Sequence, residues 1–151
     1  MIELYNISKT FRMRGETNRV LDGLSLTIEQ GEFIILSGKS GCGKSTLLRL
    51  MKPGLFPRGE LSGDVRFLGR KLTSEPDRDA AAKIGFVMQD PEAQTVTDKV
   101  WHELAFSCES VGMERNEIRR RVGEMAGYFG LEELFDKPTD ALSGGQKQLL
   151  C

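Results

Sequence analysis

The stretch GEFIILSGKSGCGKSTLLRLM, residues 31–51, contains three local patterns in succession. Its first part, Phe33 to Leu36, is a continuous apolar run between two glycines, as expected of a strand buried on both faces of a sheet. Its last part has apolar residues at helical spacing and predicts a helix from Lys44 to about Lys52, which Pro53 ends. The glycine-rich residues between them are therefore predicted to form a strand-to-helix loop.

That loop, GKSGCGKS at residues 38–45, fits the P-loop pattern G-x-x-x-x-G-K-[ST]. Its glycines allow backbone conformations that other residues avoid, so successive N–H groups can point at one anion. The Lys44 ammonium then reaches the β and γ phosphates of a nucleotide, and the Ser45 hydroxyl is placed to bind Mg²⁺. The alternative is a chance match, but the loop lies between a buried strand and a helix, where the mechanism requires it. The predicted nucleotide-binding residues are Gly38, Lys39, Ser40, Gly41, Cys42, Gly43, Lys44, Ser45 and Thr46.

Composition excludes several classes of protein. The 151 residues, of which 39% are hydrophobic and 28% charged, suit one folded domain. Lysine and arginine number 21 against 22 acidic residues, so we expect no nucleic-acid partner. Apolar runs are far shorter than the roughly 20 residues that a bilayer requires, so the chain is not expected to span a membrane. Three widely spaced cysteines predict neither a disulfide framework nor a metal site and suit a reducing cytoplasm.

The rest of the chain divides into β-like and helical parts. Alternating apolar residues predict antiparallel strands in IELYNI and LSLTI, separated by a polar loop RMRGETNR, and further β structure in GDVRFLGRKL. Ile84 to Met88 form another short apolar run and predict a second buried strand. Beyond Pro91 the spacing becomes helical, and Gly130 is predicted to end a helix. The two predicted helical faces are Trp101, Leu104, Ala105, Cys108 and Val111, and then Ile118, Val122, Met125 and Phe129.

The sequence closes on DALSGGQKQLLC, residues 140–151. Ser143 followed by a glutamine three positions later predicts a helix N-terminus with a capping box. Free N–H groups at that end, with Gly144 and Gly145 offering no side-chain obstruction, would form a second site for a phosphate.

Three features together resemble the ATP-binding cassette (ABC) family: the P-loop, Gln89 at the end of the next predicted strand, and LSGGQ at residues 142–146. MQDPEAQ and VWHELAFSCESVGM resemble in addition its energy-coupling-factor branch, whose ATPases drive uptake of vitamins and metal ions. The resemblance implies an α/β P-loop NTPase core with an N-terminal antiparallel β subdomain and a helical signature subdomain. These parts are predicted at residues 31–59 and 83–90 for the core, 1–30 and 60–73 for the β subdomain, and 91–151 for the helical subdomain.

The resemblance also assigns roles to residues. Phe11 stands where the family has an aromatic that stacks on adenine, although an ordinary core phenylalanine is the alternative. Gln89 corresponds to the glutamine that contacts Mg²⁺ and the attacking water, and it joins Lys44 as a predicted catalytic residue; without the family it is only a polar residue ending a strand. Ser143, Gly144, Gly145 and Gln146 would bind the ATP of a second ABC ATPase domain in trans, in a homodimer or heterodimer.

The family continues after its signature helix with a strand carrying the Walker B aspartate, a catalytic glutamate and a switch histidine, which these 151 residues do not contain. We therefore expect a C-terminally incomplete fragment whose apolar sheet faces lie open. The favoured function is the ATPase subunit of a transporter, held at the cytoplasmic face of the cell membrane by an integral membrane subunit. Two alternatives remain: a chain that binds ATP without hydrolysing it, and a soluble ABC ATPase of DNA repair or translation.

Overall fold

The computed structural model describes residues 1–13, 15–75 and 77–151. Within them the chain forms two compact units, residues 1–85 and 86–151, which we describe separately. The antiparallel strands and the glycine-rich loop belong to the first unit. The longer helices and LSGGQ belong to the second.

An antiparallel sheet forms most of the first unit. Within the described residues it has four strands in the order β2-β1-β3-β4. The strands are β1 (Ile2–Met13), β2 (Glu16–Ile28), β3 (Glu60–Phe67) and β4 (Arg70–Lys71). The predicted antiparallel strands are confirmed. The polar loop RMRGETNR is wrong at residues 12–13 and 16–19, which belong to β1 and β2, and Arg14 lies outside the described residues. Arg12 pairs with Thr17 and Phe11 with Asn18, because the hairpin ladder continues through residues that are polar but still satisfy each other's backbone hydrogen bonds.

The core of this unit lies between the sheet and α1 (Lys44–Leu50). The helix starts as predicted and ends slightly earlier than Lys52. The Lys52 ammonium donates to the carbonyl oxygens of Ala81 and Ile84, which ties the end of α1 to the unpredicted helix α2 (Arg78–Lys83). The buried residues of the core are Leu4, Ile7, Leu21, Leu47, Leu50, Met51, Val65, Leu72 and Ala80.

The two predicted buried strands are wrong as described by the structure. Residues 33–37 do not form a strand, and Phe33 and Ile35 are 88% and 78% exposed. Residues 84–88 are also outside any strand, and the boundary between the two units falls within them. A strand exists only where a neighbour completes its ladder, and no described segment does so for either run. Residues 33–36 therefore lie outside the sheet, and the expectation of open sheet faces stays a prediction.

Three α-helices build most of the second unit: α3 (Val100–Ser110), α4 (Arg115–Phe129) and α5 (Gly144–Leu150). Two short 3-10 helices, Glu132–Leu134 and Thr139–Ala141, lie between α4 and α5. Helix α4 ends at Gly130 as predicted, with φ 66° at the glycine. The predicted helical faces are only partly buried, since Trp101 and Met125 remain 42% and 47% exposed. Two clusters hold the helices together, one around Val100, Leu142 and Leu150, the other around Ala105, Ile118 and Val122.

Candidate functional site

The glycine-rich loop curls around its own lysine. The Lys44 ammonium donates to the carbonyl oxygens of Gly38 and Lys39 at 2.7 and 2.9 Å. The Cys42 N–H also donates to the Lys39 carbonyl oxygen at 3.3 Å, which closes a turn inside the loop. The ammonium therefore lies within the concavity of the loop, where it can exchange these carbonyl partners for phosphate oxygens.

Gly43 fixes the junction between the loop and α1. It has φ 98° and ψ 3°, and a Cβ there would lie 2.8 Å from Val20 Cγ1 and 3.1 Å from the Val20 carbonyl oxygen. Glycine is needed both for the left-handed backbone and for the close approach to β2. No side chain caps the helix start, so the N–H groups of its first turn stay available to an anion.

The loop presents the groups that a triphosphate and Mg²⁺ require. The loop offers a cation, free helix N–H groups and the exposed Ser45 hydroxyl in the first turn of α1. Those are the donor types that phosphate requires, together with an oxygen ligand of the type that Mg²⁺ prefers. The residues present therefore fit the predicted group.

Phe11 lies in β1. Its register partner in β2 is Asn18, and Val20, which packs on Gly43, lies two residues further along the same strand. At about 3.3 Å per residue, Asn18 and Val20 are separated by roughly 7 Å along the strand. The half-buried Phe11 and the point where Gly43 meets β2 therefore belong to the same end of one hairpin.

The LSGGQ segment forms the helix start that its sequence predicts. The Ser143 hydroxyl accepts a hydrogen bond from the Gln146 N–H at 3.3 Å, and the Gln146 side-chain oxygen accepts one from the Ser143 N–H at 2.9 Å. Cβ atoms built on Gly144 and Gly145 would meet nothing within 4 Å. Glycine is not required here by packing inside the chain, so the open space above this end of α5 is consistent with approach by another molecule.

Gln89 is exposed in a loop of the second unit. Gln94, to which sequence reasoning assigned no role, holds residues 86–88, which come just before Gln89. The Gln94 side-chain oxygen accepts from the Met88 N–H at 2.7 Å, and its amide nitrogen donates to the Phe86 carbonyl oxygen at 3.3 Å. The side-chain amide thus makes the two hydrogen bonds that a neighbouring strand would make. Gln94 closes the MQDPEAQ stretch on which part of the family resemblance rests, but that resemblance assigned it no role.

An ion pair joins the same loop to the signature helix. The Lys147 ammonium lies 2.7 Å from a Glu92 carboxylate oxygen, and the Lys147 side chain is only 15% exposed. The hydrogen bond from Lys147 and its positive charge lower the pKa of Glu92 below its usual value. The loop that carries Gln89 and the helix that begins at Ser143 are therefore linked within one unit.

The buried carboxylate of Glu103, which sequence reasoning also missed, binds the segment before α3. That segment in turn contacts Thr139, which precedes α5. Glu103 is 7% exposed, and its carboxylate accepts from the Val96 N–H at 3.1 Å and from the Thr97 N–H and hydroxyl, both at 2.8 Å. The Thr139 hydroxyl donates in turn to the Thr97 carbonyl oxygen at 2.8 Å. A glutamate inside a helix is usually solvated, so nothing in the local sequence indicates that Glu103 is buried.

A P-loop followed by α1, beside an antiparallel sheet and with a separate helical unit, defines a P-loop nucleotide-binding cassette. The chain belongs to the ABC transporter family, whose model matches residues 21–151. A putative ABC transporter ATP-binding protein of Bacillus cereus is 42% identical over 148 residues, covering 98% of this chain and 26% of that protein. Another from Methanosarcina acetivorans is 38% identical over 154 residues, covering 100% of this chain and 24% of that protein.

Solved structures share the fold. The dimeric ATP-binding cassette MJ0796, in a post-hydrolysis state bound to ADP and Pi, has a TM-score of 0.79 at 28% identity, covering 99% of this chain and 66% of that one. CbiO1 from Clostridium perfringens, part of the ABC transporter complex cbiONQ, has a TM-score of 0.75 at 29% identity, covering 99% and 58%. The chain spans about a quarter of the length of the two curated relatives described above. No helix in the described part of the chain is long and apolar enough to cross a membrane.

Proposed function

We propose that this chain supplies the ATP-binding part of an ABC transporter ATPase and binds Mg-ATP through residues 38–46. The observation that carries the proposal is the P-loop geometry, in which the Lys44 ammonium lies inside a loop closed by Gly43 against β2. Lys44 would hold the β and γ phosphates, Ser45 would bind Mg²⁺, and Phe11 would stack on adenine. When bound, Mg²⁺ neutralises charge on the phosphate oxygens.

A second ABC ATPase domain is proposed as the partner that completes each site. Ser143, Gly144, Gly145 and Gln146 would contact the nucleotide held by that domain, and Gln89 would help to orient the attacking water. The unobstructed surface at Gly144 and Gly145 supports this arrangement, as does the dimer described for MJ0796. The membrane-bound transporter subunit is a further proposed partner, which would hold the chain at the cytoplasmic face of the membrane.

For the transported substrate we propose uptake of a vitamin or metal ion by an energy-coupling-factor system. The structural likeness to CbiO1, which belongs to the cbiONQ complex, supports this proposal, as do MQDPEAQ and VWHELAFSCESVGM. Retention of the chain by a membrane subunit during purification is the expected result. Co-purification with ribosomes or DNA instead would favour the soluble ABC ATPase.

The first experiment measures Mg-ATP affinity by calorimetry together with phosphate release. Lys44→Ala is expected to weaken ATP binding at least tenfold, because a charge-assisted contact to phosphate is lost. Lys83→Ala, which removes an exposed lysine of α2 outside residues 38–46, is the matched control and should change affinity little. Equal binding by the wild-type and Lys44→Ala chains would refute the proposal. ATP binding without steady phosphate release would favour the chain that binds but does not hydrolyse.

A further inference from the structure

Lys9 is a buried lysine in β1. Its side chain is 1% exposed, although lysine is almost never fully buried without a charged partner. No carboxylate in the part of the chain that the structure describes lies within 4 Å of its ammonium. Burial lowers the pKa of Lys9 below its ordinary value. A residue that costs this much to bury requires an explanation beyond packing.

The contacts of the Lys9 ammonium all lie around the side chain of Phe11. It donates to the carbonyl oxygens of Pro57 and Gly59 at 2.8 and 2.9 Å. It also lies over the ring of Phe11, 5.4 Å from the centroid, which is within the range of a cation–π interaction. The ammonium therefore occupies one face of the Phe11 ring and anchors the chain segment beside it.

That segment supports the ring directly. A Cβ on Gly59 would lie 2.5 Å from the Thr10 carbonyl oxygen and 3.4 Å from Phe11 Cδ1. Gly59 thus lies against the Thr10 backbone and the edge of the Phe11 ring, and Lys9 holds Pro57 and Gly59 through two hydrogen bonds. Without the ammonium, both the ring and its support would lose a fixed contact.

We propose that Lys9 is a positioning residue that holds Phe11 for stacking on the adenine base, and that it thereby sets the preference of this site for a base over a bare triphosphate. The inference rests on the proposed function, since it requires Phe11 to contact the nucleotide. A ring with an ammonium on one face offers only its other face to a base. The cation also draws electron density from that free face, which favours an electron-rich purine.

The test compares Mg-ATP with magnesium tripolyphosphate, which lacks the base, by calorimetry on the full chain. Lys9→Met is expected to raise the Kd for ATP about fivefold and to leave the Kd for tripolyphosphate unchanged. Lys9→Arg keeps a cation and should stay within about twofold of wild type for both ligands. Phe11→Ala should weaken ATP binding by about tenfold or more, and adding Lys9→Met to it should have little further effect.

Equal weakening of both ligands by Lys9→Met, or an unchanged Kd for ATP, would overturn the inference while leaving the proposed function standing. ATP binding that does not respond to Lys44→Ala would instead refute the proposed function. Should Lys9→Met fail to fold, the wild-type chain provides a second measurement by NMR. The ammonium resonance of Lys9 is expected to shift on addition of ATP and not of tripolyphosphate, and equal shifts with both would contradict the inference.

Discussion

Replacing Gly43 by alanine should destabilise the first unit far more than the same change at Gly41, although both glycines belong to the P-loop. Gly43 has φ 98° and Gly41 has φ 80°, so alanine is strained at both. The two positions differ in the room available for a Cβ atom. A Cβ at Gly43 would lie 2.8 Å from Val20 Cγ1, whereas one at Gly41 would meet nothing within 4 Å. The pair therefore separates steric overlap from backbone strain.

The expected magnitudes follow from those two terms. Left-handed backbone costs alanine about 1 kcal/mol, which is the whole expected effect of Gly41→Ala. Overpacking against Val20 adds about 2 kcal/mol more for Gly43→Ala, giving about 3 kcal/mol in total. Since each 1.4 kcal/mol is a factor of ten, local opening should become about fivefold more frequent in Gly41→Ala and more than about a hundredfold in Gly43→Ala.

Hydrogen exchange measures this opening where it occurs. The Leu47 N–H donates to the Gly43 carbonyl oxygen at 2.8 Å and reports the first turn of α1. The amide of the buried Val122 in α4 belongs to the other unit and serves as an internal reference. Equal acceleration of Leu47 exchange in the two variants would refute the reasoning, because it would show that Val20 does not restrict residue 43.

Three further predictions concern the second unit. Ser143→Ala removes the cap of α5 and should lower its stability by about 1 kcal/mol, measured as faster exchange at the Lys147 amide; unchanged exchange would contradict the capping role. Lys147→Met should raise the pKa of Glu92 in an NMR titration, since the ion pair lowers this pKa, and an unchanged value would contradict the pairing. The stabilisation by this pair is present above the pKa of Glu92 in the unfolded chain and is lost as pH falls through its pKa in the folded chain. Glu103→Leu should destabilise the unit by about 3 kcal/mol, because its carboxylate accepts three part-buried hydrogen bonds from Val96 and Thr97, each worth about 1 kcal/mol. Trp101 fluorescence in urea measures this, and a midpoint within error of wild type would count against it.

The sequence by itself determined the features that depend on neighbouring residues. The P-loop, the start of α1, the capping box at Ser143 and the glycine that ends α4 are specified within a few positions, because backbone conformation and capping are local. The family resemblance followed from the same short motifs. The strands in IELYNI and LSLTI were also predictable, since alternating apolar and polar residues indicate a strand with one buried face.

Only the tertiary structure decided whether an apolar run is a buried strand. Residues 33–36 have the composition of one, yet Phe33 and Ile35 are exposed, because ladder hydrogen bonds and buried faces come from segments distant in sequence. The same holds for polar side chains. Lysine and glutamate are usually exposed, and only the folded chain brings to Lys9 and Glu103 the carbonyl and N–H groups that make their burial possible.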